Sequence, residues 1–280
     1  MSTVSVLIPI YYKESVDNIQ KCFASIANQQ LVPNEIVCAL DNPSSPKIEQ
    51  ELDELSRKYS FRIVKCYCPR GSGLGAVLNI GVENCTSEYI ARMDVDDIAK
   101  PDRLLKELEY LENHLDVDVV GSNIAEFDTS PDIITAYRNV PEKDDDCKRM
   151  LKRRDPINHM TAMFRRKSVL KAGNYSCEMK SCEDTYLWTS FYAHNLSFAN
   201  IQENLVLVHA GKDMYKRRGG KKAYHYVKKS IEYKKYVGLI SSVEECFQKA
   251  ANYCVLVLMP NNMRAFIYER LLRNKDRKGN

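Results

Sequence analysis

Short apolar segments alternate with stretches of helical periodicity through the first 120 residues, and no other feature constrains the fold as tightly. Residues 4–9, 35–40, 61–67, 88–93 and 117–120 read as strands. Between them, Ile19, Phe23, Ile26 and Ala27 recur at helical spacing over residues 16–30, behind Ser15 as a capping residue. A charged helix is expected over residues 46–58, and the glycine-rich Gly71-Ser72-Gly73-Leu74-Gly75 leads into another that ends near Asn84. Pro101 suits the first position of a helix reaching about residue 114. Strands and helices in alternation, joined by short turns, predict an α/β domain with a mostly parallel sheet flanked by helices on both faces. In such sheets ligands bind outside the carboxyl ends of the strands. That rule gathers Pro9, Tyr11, Asp41, Arg70, Gly71, Asp94 and Asp96 around one crevice.

The crevice would then hold an unusual charge. Asp94, Asp96 and Asp97 fall within four positions, directly after an apolar run. Carboxylates this close raise one another's proton affinity, and their ionised forms repel unless a cation sits among them. A solvated surface turn explains the cluster only if it lies outside the crevice. With no His or Cys nearby in sequence, a hard divalent ion such as Mg²⁺ or Mn²⁺ fits better than zinc. Such an ion usually takes its remaining ligands from water and substrate phosphates, which points to a nucleoside diphosphate. The run Lys216-Arg217-Arg218-Gly219-Gly220 supplies cations for the same phosphates, or simply begins a basic helix. The glycines at 71, 73 and 75 also raise a nicotinamide-dependent dehydrogenase. Their spacing is Gly-x-Gly-x-Gly rather than Gly-x-Gly-x-x-Gly, and such an enzyme has no need of three clustered aspartates.

Beyond residue 125 the alternation weakens. A helix is expected between the acidic run at 144–146 and the basic run at 152–154, then a strand at 161–164. Glu183-Asp184 opens an apolar helical stretch with Leu187, Trp188, Phe191 and Tyr192, and residues 205–208 read as a strand. From Gly219 two or three amphipathic helices follow, broken at Gly238 and Pro260. The net charge of +4 is segregated: residues 212–280 carry 17 Lys and Arg against 6 Asp and Glu, whereas residues 1–211 carry 24 against 31. The tail interleaves Tyr224, Tyr226, Lys228, Lys229, Tyr233, Lys234, Lys235 and Tyr236, a pattern suited to an anionic membrane surface. Nucleic acid is the competing partner of such a patch; the acidic body disfavours it. The longest apolar run, residues 253–259, is far too short to cross a bilayer. Residues 5–9 lack the basic lead-in and length of a signal peptide. Ten cysteines without a CxxC pair suggest reduced structural thiols in the cytoplasm.

An ordered set of motifs carries a family resemblance. It comprises Ser5-Val6-Leu7-Ile8-Pro9-Ile10-Tyr11-Tyr12-Lys13-Glu14, Gly73-Leu74-Gly75 with Asn79-Ile80-Gly81, and Ala91-Arg92-Met93-Asp94-Val95-Asp96-Asp97-Ile98. It continues with Pro101-Asp102-Arg103, Asn158-His159-Met160-Thr161, Glu183-Asp184 and the stretch 213–220. Together they resemble the family 2 glycosyltransferases of GT-A fold, and among them the bacterial exopolysaccharide and O-antigen enzymes of the amylovoran type.

The resemblance implies roles for individual residues. Pro9, Tyr11 and Glu14 would line the nucleotide pocket, Asp41 would bind the base, and Arg70 and Gly73 would border base and ribose. Asp94 would lie by the ribose and near the metal, and Asp96 would hold Mn²⁺ or Mg²⁺ on the diphosphate. Asp184, with Glu183 beside it, would take the proton of the acceptor hydroxyl; on sequence alone the pair equally serves as the acidic start of a helix. Arg217 and Arg218 would meet the leaving diphosphate. His159 is placed near the acceptor. His209 is either an additional metal ligand or a structural histidine. Residues 1–218 are read as the catalytic domain, with a nucleotide half (1–125) and an acceptor half (126–218), and residues 219–280 as a basic helical tail. The tail lacks the Gln-x-x-Arg-Trp motif of processive synthases, so a single-sugar transfer is expected. The implied reaction inverts the anomeric centre and moves a sugar, from UDP-glucose or UDP-galactose, to a lipid-diphosphate-linked saccharide. The enzyme would sit peripherally on the cytoplasmic face of a bacterial plasma membrane. No protein partner is expected, and a catalytically silent membrane scaffold is the non-enzymatic alternative.

Overall fold

The computed structural model describes residues 2–210, 219–260 and 263. Its centre is a nine-stranded sheet. The first half follows the expected alternation: β1 (Val4–Ile10), α1 (Val16–Ala27), β2 (Glu35–Asn42), α2 (Pro46–Tyr59), β3 (Ile63–Pro69), α3 (Leu74–Asn84) and β4 (Tyr89–Arg92). These four strands lie side by side in the order β3-β2-β1-β4, all parallel. Every residue of β1 is buried, as expected of a strand covered on both faces. Period-two alternation decides which residue faces which layer. Leu7, Val37 and Ala39 pack with α3, while Val6, Ile8, Ile36 and Cys38 pack with α1 and α2. Helix α1 begins where predicted, the Ser15 hydroxyl accepting from the Asn18 amide at 3.1 Å.

The second half mixes directions. After the two-residue β5 (Ile98–Ala99) and α4 (Arg103–Asn113) come β6 (Val119–Phe127), β7 (Ile134–Arg138) and α5 (Asp144–Leu151). Next are β8 (Met163–Arg165), α6 (Arg166–Lys171), α7 (Glu183–Ala193) and β9 (Phe198–His209). β8 joins β4 and β6 antiparallel, β6 and β9 pair in parallel, and β7 and β5 pair antiparallel with β6 and β9. The sheet is therefore parallel around the crevice and mixed beyond it. Strands β6 and β9 are much longer than their apolar runs suggest. Polar residues continue them: Asn200, fully buried, donates to the carbonyls of Pro141 at 2.6 Å and Pro156 at 3.0 Å. Gly121 is needed there, because a Cβ would sit 2.6 Å from the Asn200 Oδ1. Pattern reading favours alternating hydrophobicity, so strands completed by buried polar groups anchored to partners far along the chain escape it.

Among the described residues after Gly219 are two α-helices, α8 (Lys221–Tyr236) and α9 (Ser242–Tyr253), the second running into a π-helical turn at Cys254–Leu258. Ile231, Leu239 and Ile240 join the same core as Trp188 and Phe191 of α7. Tyr233 stacks on Tyr186 at 4.2 Å and shares a hydrogen bond with Ser190. The basic tail thus begins with a helix docked on the domain.

Candidate active site

Outside the carboxyl ends of β1, β2 and β4 opens a cleft of about 580 Å³. Pro9, Tyr11, Glu14, Asp41, Gly73, Asp94 and Asp96 all line it. Asp41 is buried and accepts from the Tyr12 amide at 3.2 Å, which fixes the turn after β1. Arg70 is outside the lining. Its guanidinium lies 3.8 Å over the Tyr12 ring and its Nη2 donates to the Pro43 carbonyl, so it braces the rim.

The three clustered aspartates separate into three environments. Asp94 is held by Arg92, whose two Nη atoms each reach one carboxylate oxygen at 2.6 Å. Arg92 is 2% exposed, and its carbonyl accepts from the buried Arg103 at 2.7 Å. Pro101-Asp102-Arg103 therefore contributes a brace beneath the aspartates, a role hidden in the sequence. Asp97 turns away from the cleft. Its Oδ1 accepts from the His209 backbone N–H at 2.9 Å and ties the end of β9 to the cluster. Asp96 is the carboxylate left facing the cleft, 41% exposed at its side chain. Burial, then the charges of Asp94 and Glu14, push its carboxyl up to about 6.

His209 stands opposite Asp96. Its Nε2 lies 3.0 Å from the Asp128 carbonyl, which can only accept, so Nε2 carries the proton. The Nδ1 lone pair then faces Asp96 Oδ2 at 4.0 Å. Two acceptors facing each other suit an intervening cation. Among the described residues no group of three His, Cys, Asp or Glu side chains closes at metal-binding distance. The donor set fits an ion resting on Asp96 and completed by water and phosphate oxygens, with Asp94 already engaged by Arg92.

The glycines at 73 and 75 are each needed for a close backbone approach, and Gly73 also lines the cleft. A Cβ on Gly73, where φ is +97°, would lie 2.5 Å from the Lys180 Cα. One on Gly75 would lie 2.4 Å from the Ser176 carbonyl oxygen. Lys180 Nζ also donates to the Gly71 carbonyl at 2.8 Å. These contacts clamp the start of α3 against the segment leading into α7. They also bring Glu183 and Asp184 beside the cleft.

Glu183 is 6% exposed and Asp184 half-buried. Burial raises both carboxyls, Glu183 to about 8 and Asp184 to about 6, with Asp184's charge adding to the effect on Glu183 and Asp155's to that on Asp184. Arg92 opposes both shifts. This one buried cation therefore bears on the cleft aspartate and on the acidic pair together. His159 packs behind them, not in the cleft. Its Nε2 hydrogen-bonds the Tyr175 hydroxyl at 2.7 Å and its Nδ1 is 4.0 Å from Glu183. Burial and Arg92 hold the ring well below the ordinary histidine range, hence neutral. Lys234 of α8 is 4% exposed and senses Asp155 and Asp184 across the helix interface. Its proximity could not be read from a tail helix seen as a solvated face. Arg217 and Arg218 lie outside the described residues.

Comparison with known proteins places this geometry. The profile described as Glycosyl transferase family 2 matches residues 5–173. An uncharacterized glycosyltransferase of Haemophilus influenzae is 32% identical over 269 residues, covering 96% of this chain and 98% of the relative. The amylovoran biosynthesis glycosyltransferase AmsE of Erwinia amylovora is 32% identical over 279 residues, covering 98% and 99%. A UDP-Gal:alpha-D-GlcNAc-diphosphoundecaprenol beta-1,3-galactosyltransferase of Escherichia coli is 28% identical, covering 96% of each chain. Among solved structures, S. aureus TarS 1-349 in complex with UDP-GlcNAc superposes with a TM-score of 0.69 at 16% identity, over 95% of this chain and 79% of that one. The mannosyltransferase PcManGT of Pyrobaculum calidifontis, in complex with GDP-Man and Mn2+, gives 0.64 at 13% identity, over 94% and 72%. The architecture is the GT-A fold. With the profile spanning more than half of the chain and relatives 32% identical along nearly all of it, the protein belongs to glycosyl transferase family 2 and is a glycosyltransferase.

Proposed function

We propose that the enzyme moves one sugar, with inversion, from a nucleotide-sugar to a lipid-diphosphate-linked saccharide in the assembly of a surface polysaccharide. UDP-glucose or UDP-galactose is the proposed donor, and the cytoplasmic face of a bacterial plasma membrane the proposed site of action. The observation that carries this reading is the division of carboxylates around one cleft: Asp96 facing it, Asp94 locked by Arg92, and buried Glu183 with half-buried Asp184 beside it. The E. coli relative's diphosphoundecaprenol substrate and the UDP-GlcNAc of the TarS complex support the choice of acceptor and donor.

Pro9, Tyr11 and Glu14 line the donor pocket in this reading, Asp41 meets the base, and Arg70 and Gly73 border the ribose. Asp96, with His209 Nδ1 opposite, would hold Mn²⁺ or Mg²⁺, which when bound offsets negative charge on the departing nucleoside diphosphate. Arg217 and Arg218 are proposed to approach the same diphosphate. Asp184 accepts the proton of the acceptor hydroxyl as the oxygen attacks the anomeric carbon from the face opposite the leaving group. Glu183, whose raised affinity keeps it protonated near neutrality, adds no second charge beside the base. The neutral His159–Tyr175 pair holds the wall behind it. Residues 1–218 are the proposed catalytic unit and 219–280 its basic tail.

The test is transfer from radiolabelled UDP-hexoses to undecaprenyl-diphosphate-linked saccharides, with and without Mn²⁺, followed by assignment of the anomeric configuration. Metal-stimulated formation of one inverted linkage is expected. Absence of transfer from UDP-, GDP- and dTDP-sugars alike would overturn the proposal.

A further inference from the structure

The described residues expose twelve large hydrophobic side chains, and half of them, Tyr236, Val243, Phe247, Tyr253, Leu258 and Met263, fall at the C-terminal end. The others are scattered singly, which is ordinary for a folded surface. Helix α9 buries no residue at all. It is nevertheless strongly two-sided. Its polar arc faces the protein: Gln248 donates to the Lys152 carbonyl at 2.9 Å, and Lys249 bridges Glu232 of α8 at 2.9 Å and Glu245 at 2.6 Å. A capping box formed by Ser241 and Glu244 fixes its start. The opposite arc carries Val243, Phe247 and Ala250 at i, i+4 and i+7, and Cys254 and Leu258 continue it. Val243 is 79% exposed, Phe247 73% and Leu258 65%. A helix held by its polar side, with its apolar side outward, is inverted relative to an ordinary surface helix.

We infer that the stripe formed by Val243 and Phe247 of α9 and Leu258 of the π-helical turn that follows it (Cys254–Leu258) is the surface by which the enzyme inserts into a bilayer carrying anionic lipid. Charge selects that occupant. Exposed Lys221 and Lys222 open α8, and the preceding Gly220 N–H donates to the Leu256 carbonyl at 2.8 Å, which seats these cations at the Leu258 end of the stripe. Apolar side chains flanked by cations suit the boundary between headgroups and acyl chains. The stripe also corrects where the tail's amphipathic face lies. On α8, Tyr233 and Lys234 are spent on packing against α7 and cannot face lipid. The inference rests on the lipid-linked acceptor proposed above, which requires the cleft to work beside a membrane. Because α8 bridges α7 and α9, insertion of α9 would set the distance from Asp184 to the membrane plane.

The test uses the full chain and the double variant Val243→Asp/Phe247→Asp, sedimented with vesicles of phosphatidylcholine alone or mixed with phosphatidylglycerol. Wild type should bind the mixed vesicles, and the variant should partition about tenfold or more weakly, with its melting temperature and UDP binding unchanged. Equal binding by both chains would overturn the inference, as would no binding by wild type. Two further results would assign the stripe to another occupant and overturn it equally: a wild-type dimer that the variant splits, or a lowered melting temperature, marking a face covered by residues 264–280. UDP titration of the same samples keeps the two proposals apart. Vesicle binding without UDP binding removes the proposed UDP-sugar donor alone, and the reverse removes only this surface.

Discussion

The aspartates at the end of β4 and the acidic pair at the start of α7 use the same functional group in opposite settings. Asp96 faces the cleft, and its neighbour Asp94 is neutralised by a bidentate guanidinium. Glu183 and Asp184 are withdrawn from water, with Asp184's charge opposing ionisation of Glu183 and Asp155's opposing that of Asp184. The first setting turns a carboxylate toward open cleft space, where a bound cation would offset the burial and like charge that raise Asp96. The second raises proton affinity toward neutrality, where a carboxylate can accept a proton during a reaction. Environment, not residue type, divides binding from proton transfer, and Arg92 acts on Asp94 in the first setting and on both acids of the second.

That division gives its largest expected effect at Asp184. Asp184→Asn should lower the transfer rate by roughly 10²–10⁴-fold while leaving UDP binding intact, measured by single-turnover transfer and calorimetry. At Arg92 the effect moves to stability. Arg92→Met strips a buried ion pair of one partner and should cost about 3 kcal/mol in denaturant unfolding, whereas Arg92→Lys should recover part of it without the bidentate geometry. Gly75→Ala forces a Cβ against the Ser176 carbonyl and should cost roughly 1–3 kcal/mol, with a larger loss of transfer than of UDP affinity because α7 is displaced. Asp96→Ala should weaken Mn²⁺-dependent UDP binding by about 2 kcal/mol and leave stability nearly unchanged, since its side chain is substantially exposed.

Protonation gives the smallest effects and the clearest sign. Asp184 must be ionised to act, so transfer should rise as pH increases through about 6. Glu183 runs the other way in stability. Its affinity is raised in the folded state, so its contribution is fully present below the unfolded value of 4.5 and is lost as pH rises through about 8. Glu183→Gln should flatten the fall in melting temperature across that window.

The parallel half was legible because buried strands such as β1 are continuous apolar runs and their helices carry clear caps and periodicity. The ends of those strands then converge by rule, which located Asp41, Asp94 and Asp96. The mixed half was harder. β5 is two residues long, β7 is a half-exposed strand, and β6 and β9 are extended by Gly121, Asn123, Asn200 and Asn204, whose fitness depends on partners far along the chain. The same reason hid Arg92 and Arg103. A buried arginine looks like any strand or helix charge until its carboxylate or carbonyl partner is in place. The glycine run raised a dinucleotide fingerprint because sequence shows that a backbone approaches closely there, but not that it is the segment before α7.

The most direct measurement is calorimetric titration of UDP in Mn²⁺ into Asp96→Ala and Asp184→Asn side by side. The division of roles predicts that Asp184→Asn binds as wild type does and Asp96→Ala loses the metal-dependent affinity. Equal loss in both variants, or loss in Asp184→Asn alone, would contradict it.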